Sequence, residues 1–136
     1  MKTRQRGVTL VELMVVVAVM AILATLGYPM YLEQQLRGRR TDGKAMLNHV
    51  IQQSERFYTE NNTFTTDLDE LGFGSGTVAS EHGSYTITLA AGPTGNIATS
   101  VTVTATPVAA DAKCGTLTLS SDFSRGASGS QPAICW

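Results

Sequence analysis

Residues 13–32 carry no charged side chain. That run is about as long as a helix needs to cross a bilayer, roughly 20 residues. It constrains the chain to one anchored or spanning segment followed by one soluble domain. A carboxylate nevertheless sits at its mouth. Glu12 lies inside "RGVTLVEL", residues 6–13. A charge within hydrocarbon costs roughly 2.5–3.5 kcal/mol on insertion scales, so its presence asks for a reason.

The flanks of the run raise a targeting question. Lys2, Arg4 and Arg6 precede it, as in the basic region of a signal peptide. An ordinary signal peptide is cut after its apolar stretch at an A-x-A-like site, and no A-x-A occurs in residues 8–32. The well-placed small residue is Gly7, which lies before the apolar stretch. A cut there removes the basic leader and keeps the membrane segment.

The stretch "RGVTLVELMVVVAVMAILATLGYPMY" resembles the class III signal of type IV prepilins and their pseudopilin relatives. The resemblance implies cleavage between Gly7 and Val8, N-methylation of Val8 and a role in assembly for Glu12. Many members have phenylalanine at the new N-terminus, and Val8 departs from that. Pro29 falls where many type IV pilins have proline. Cleavage would take away three of the ten basic residues, leaving seven against eleven acidic ones and a formal charge of −4.

Topology does not follow from charge alone. Arg37, Arg39, Arg40 and Lys44 follow the span and nearly balance the leader, so the positive-inside rule does not decide. Cys114 and Cys135 form an even pair compatible with one disulfide, with two free thiols as the alternative. A disulfide persists in an oxidising compartment, which places the domain outside the cytoplasm. The resemblance implies the same orientation.

Beyond the span, Leu47, Val50, Ile51, Ser54, Phe57 and Tyr58 recur at helical spacing, with Asn48, Gln52, Gln53 and Glu55 on other faces. This predicts an amphipathic helix continuous with the apolar run. Pro29 should kink it. Gly27, Gly38 and Gly43 should weaken it by about 1 kcal/mol each relative to alanine. Asn61 and Asn62 mark its end, and Thr66 is the expected cap of a turn in the acidic loop that follows. Asp67, Asp69 and Glu70 there match no EF-hand spacing, so a solvated turn is favoured over a calcium site.

Three segments alternate at strand period: "SYTITL", "SVTVTAT" and "GTLTLS". Threonines fill one face, as in a sheet with a wet side. The apolar face needs a cover, and the amphipathic helix is the candidate. The fold class is therefore α+β, a long N-terminal helix packed on an antiparallel β-meander. The ending "CGTLTLSSDFSRGASGSQPAICW" looks like the disulfide-bounded region of type IVa pilins, and of their small minor members in particular.

The expected organisation is a leader over 1–7, a membrane-spanning and polymerisation segment over 8–32 and a periplasmic head over 33–136. Within the head we expect an amphipathic helix over 33–60, a connecting loop over 61–83, a sheet over 84–120 and a disulfide-bounded region over 114–135. His49 and His82 have no partner at a meaningful spacing and read as surface or boundary residues. No catalytic constellation, cofactor or metal site is expected, so the chain does not read as an enzyme. The four basic residues after the span would face headgroups or neighbouring subunits; nucleic-acid contact through them is the less favoured reading. The resemblance implies a structural subunit of a type IV pilus, minor in abundance, serving twitching motility, adhesion or DNA uptake. Its partners would be other pilin subunits, a prepilin peptidase and methyltransferase, an inner-membrane assembly platform, and the membrane before assembly. It would start in the inner membrane and end in an extracellular fibre. A type II secretion pseudopilin and an anchored periplasmic binding or sensor domain are the alternatives.

Overall fold

A computed structural model describes residues 7–136, so the expected leader over 1–7 lies, apart from Gly7, outside the described residues. Helix α1 runs over Leu10–Asn61. Strands β1 (Val78–Ala79), β2 (Tyr85–Ala91), β3 (Val101–Pro107), β4 (Leu117–Ser120) and β5 (Arg125–Ala127) follow, with a 3-10 turn at Pro132–Ile134. Contacts divide the described residues into two units, one ending at Gln35 and the other over Leu36–Trp136.

The first unit is the N-terminal part of α1. The helix is long and apolar enough to cross a membrane, and its most apolar window buries nothing within the protein. Every large apolar side chain in residues 8–32 is exposed, from 42% at Leu32 to 76% at Leu10. Pro29 lies inside the helix without ending it.

The second unit holds the core. The sheet order is β1-β2-β3-β4-β5, each pair antiparallel, which is a meander. The central strand β3 places Val103 opposite both Leu89 and Leu119, and Ala105 opposite both Ile87 and Leu117. Period-two alternation therefore stacks one apolar row across three strands. Leu47, Val50 and Ile51 of α1 join that row in a single buried cluster. Ser54, on the same helix face, is buried too because its hydroxyl bonds back to the Val50 carbonyl at 2.9 Å. The helix ends where Asn62 enters the left-handed region (φ 57°) and its N–H reaches the Tyr58 carbonyl at 2.7 Å. Asparagine tolerates that conformation at the end of a helix.

Several expectations need correction. The sheet extends beyond 84–120 at both ends, because β1 and β5 add short edges. A two-residue strand and the "RGA" strand are too brief to show alternation. Thr66 does not cap the acidic turn: Thr65 Oγ1 accepts the Asp67 N–H at 3.0 Å, and Asp67 Oδ1 accepts the Asp69 N–H at 2.9 Å. The apolar stripe stops short of Tyr58, which is exposed and stacks on Phe64 at 4.6 Å between ring centroids.

Candidate functional site

The N-terminus of α1 is built around Glu12. Thr9 precedes the first helical residue, and Glu12 is three residues on. The Glu12 carboxylate accepts from the Thr9 N–H at 2.9 Å and from the Thr9 hydroxyl at 3.0 Å. Thr9 Oγ1 in turn faces the Glu12 N–H at 3.2 Å. This reciprocal arrangement is a capping box, which satisfies donors that a helix start leaves without partners. The carboxylate is thus already hydrogen-bonded within its own chain. The sequence reading missed this, although the signal, Thr-x-x-Glu before an apolar run, stands in "VTLVEL".

In the second unit, α1 is fixed to the sheet and its connecting loops by three contacts within four residues. Arg40 is buried and grips Asp111 with two bonds, Nε to Oδ2 at 2.6 Å and Nη2 to Oδ1 at 2.9 Å. The Arg40 guanidinium holds the Asp111 carboxyl below the usual carboxylate range, outweighing burial, with the Cys114 and Lys113 N–H groups adding to it. Arg40 is therefore not one of the basic residues facing headgroups. Its carboxylate partner lies 71 residues on, and nothing local in the sequence reveals it.

The Asp42 carboxylate accepts from the Ser80 hydroxyl at 2.5 Å and from the His82 N–H at 3.3 Å, and its Oδ1 lies 3.2 Å from His82 Nδ1. Burial alone would raise the Asp42 pKa, but these bonds from Ser80 and His82 lower it. His82 thus has a partner that its sequence spacing did not show. His49 sets its ring edge-on to Phe73 at 5.1 Å.

Gly43 lies under the buried Tyr85 ring. A Cβ at that position would stand 2.8 Å from a Tyr85 ring carbon. Gly43 is thus also a point of close approach, where a larger residue of better helix propensity would meet the Tyr85 ring. Gly27 and Gly38 meet nothing within 4 Å at the same place.

Asp111 also opens the C-terminal region. Its Oδ1 accepts the N–H groups of Lys113 and Cys114, each at 3.2 Å. Cys114 and Cys135 are bonded to each other and fully buried. The terminal Trp136 donates its indole N–H to the Gly126 carbonyl at 2.9 Å, and the Arg125 guanidinium lies 5.4 Å from its ring centroid. One chain of contacts therefore runs from α1 through Arg40 and Asp111 to the disulfide and the C-terminus. Among the described residues, no group of His, Cys, Asp and Glu is placed to hold a metal ion.

Residues 29–118 match the family model described as "Type IV minor pilin ComP, DNA uptake sequence receptor". Residues 2–28 match the prokaryotic N-terminal methylation motif. The type IV major pilin protein PilA of Myxococcus xanthus is 34% identical over 92 residues, which is 65% of this chain and 40% of that protein. The type IV wide pilus major component PilA4 of Thermus thermophilus is 36% identical over 62 residues, 46% of this chain and 47% of that protein. The match thus spans less than half the length of either relative. A type IV pilin structure from Shewanella oneidensis aligns with a TM-score of 0.48 and 23% identity, covering 65% of this chain and 88% of that one. With the ComP model matched over most of its length, the chain belongs to the type IV pilin family.

Proposed function

We propose that this chain is a minor structural subunit of a type IV pilus and that it polymerises through residues 8–32. The observation that carries the reading is the continuous exposed apolar surface of that segment. A patch this extensive marks a membrane or protein contact. It rests in the inner membrane first and packs among other subunits in the fibre afterwards. Cleavage falls between Gly7 and Val8, the Val8 amine is methylated, and the head lies outside the cytoplasm. Pro29 kinks α1 by withholding one backbone donor.

Glu12 has two separable roles on this reading. The capping box lowers the cost of the carboxylate in the membrane. Its charge then pairs with the Val8 amine of a staggered neighbour, which rewards one register, since an ion pair at low dielectric is favourable only with good geometry. Glu12→Gln keeps an oxygen acceptor for Thr9 but loses the charge. It should insert in the membrane as well as wild type and be depleted from sheared fibres. Thr9→Val keeps the charge and should still reach fibres. Entry of Glu12→Gln into fibres at wild-type yield would remove the charge from the assembly mechanism. Absence of the wild-type chain from sheared fibres would overturn the subunit reading itself.

A second reading, DNA contact by the head, is favoured by the match of residues 29–118 to the ComP model. Contacts to phosphate weaken steeply with salt. Fibres containing this subunit should then retain duplex DNA at low salt better than fibres lacking it. Equal retention would dismiss the reading.

A further inference from the structure

A cleft of about 310 Å³ opens between the last turns of α1, the β2–β3 turn and the β4–β5 turn. That volume is at the lower end of small-molecule sites, roughly 300–1,000 Å³. Its walls combine three kinds of group. Tyr58 and Phe64 supply aromatic surface, and their stacking at 25° between planes fixes the attitude of the exposed Tyr58 ring. Glu55, one helical turn before Tyr58, and Asp122 supply carboxylates. Thr94, Thr99 and Ser100 supply hydroxyls, with Thr94 Oγ1 2.6 Å from each of the other two oxygens. No lysine or arginine lines the cleft, among the described residues.

Each group has a chemical consequence. A flat, half-exposed ring offers a face to aliphatic C–H groups. Carboxylates accept paired hydrogen bonds from neighbouring hydroxyls. Bonds from the Ser124 hydroxyl and N–H hold the Asp122 carboxyl below its usual range, so it is ionised at neutral pH. Two carboxylates without a cation repel phosphate, so the cleft is unsuited to a nucleic-acid backbone.

We propose that this cleft binds a saccharide unit bearing no acidic group, stacked on Tyr58 and hydrogen-bonded by Glu55 and Asp122. The site goes beyond the fibre-forming role and is independent of Glu12. The test uses the full mature chain in detergent micelles. Saturation-transfer NMR is recorded with glucose, galactose, N-acetylglucosamine and glucosamine oligosaccharides, and with sialyllactose and a single-stranded oligonucleotide as anionic probes. At least one neutral or amino sugar should show saturable binding through its ring protons. Tyr58→Leu, which still covers Phe64 but has no flat face, should weaken it about fivefold or more, a change of roughly 1 kcal/mol. Glu55→Gln and Asp122→Asn should each weaken it while leaving the melting temperature unchanged. No saturable binding by any neutral or amino sugar overturns the proposal. So does binding that survives all three substitutions, or tighter binding of the anionic probes.

Discussion

Removal of Asp111 should loosen the head at the point where α1 meets the C-terminal region. Arg40 and Asp111 are both nearly inaccessible, with side-chain exposures of 4% and 3%. Truncating one partner of such a nearly inaccessible pair is strongly destabilising, at a cost of about 3–5 kcal/mol. Asp111→Ala also removes the acceptor of the Lys113 and Cys114 N–H groups, so its effect belongs at the upper end. A head of this size shifts its melting temperature by about 4–8 °C per kcal/mol. The expected drop is therefore at least about 12 °C, read by Trp136 fluorescence on the mature chain in mild detergent. The double variant Arg40→Met with Asp111→Leu should recover much of the loss, because apolar groups replace both charges together. The pH dependence has a definite sign. The Asp111 pKa is lower folded than unfolded, so its contribution is full above the unfolded value, about 3.9, and fades as pH falls through the lower folded value. Wild type should lose stability on acidification and Asp111→Asn should lose less. A melting temperature for Asp111→Ala within about 4 °C of wild type would refute the reasoning.

Two further outcomes follow from the head. Cys135→Ser opens a loop between residues 21 apart and should cost about 3 kcal/mol in the chain-entropy model, seen as a lower melting temperature and faster proteolysis of the C-terminal region. Gly43→Ala should destabilise the head by about 1–2 kcal/mol despite the better helix propensity of alanine, because its Cβ meets the Tyr85 ring; Gly38→Ala, in open space, should stabilise or leave stability unchanged in the same melt.

The legible parts of this protein were those with a period or a local signal. The apolar run, the helix stripe from Leu47 to Ser54 and the three longer strands each repeat a pattern over several residues. Asn61 and Asn62 gave the end of α1 because asparagine suits the left-handed cap. What stayed hidden depended on partners distant in sequence. Arg40 looked like its basic neighbours until Asp111 was seen against it, and His82 looked solitary until Asp42 was. Gly43 read as a defect because a glycine's value lies in what approaches it, here the Tyr85 ring. The Thr9–Glu12 capping box is local, and its Thr-x-x-Glu spacing stands in the sequence.

If α1, freed of its leader, carries this subunit from membrane into fibre, intact-mass analysis of the chain recovered from sheared, purified fibres should show it. The expected species begins at Val8, carries one methyl group on that amine and keeps the Cys114–Cys135 bond intact. A fibre fraction without the chain, or one whose dominant species retains residues 1–7, would contradict it.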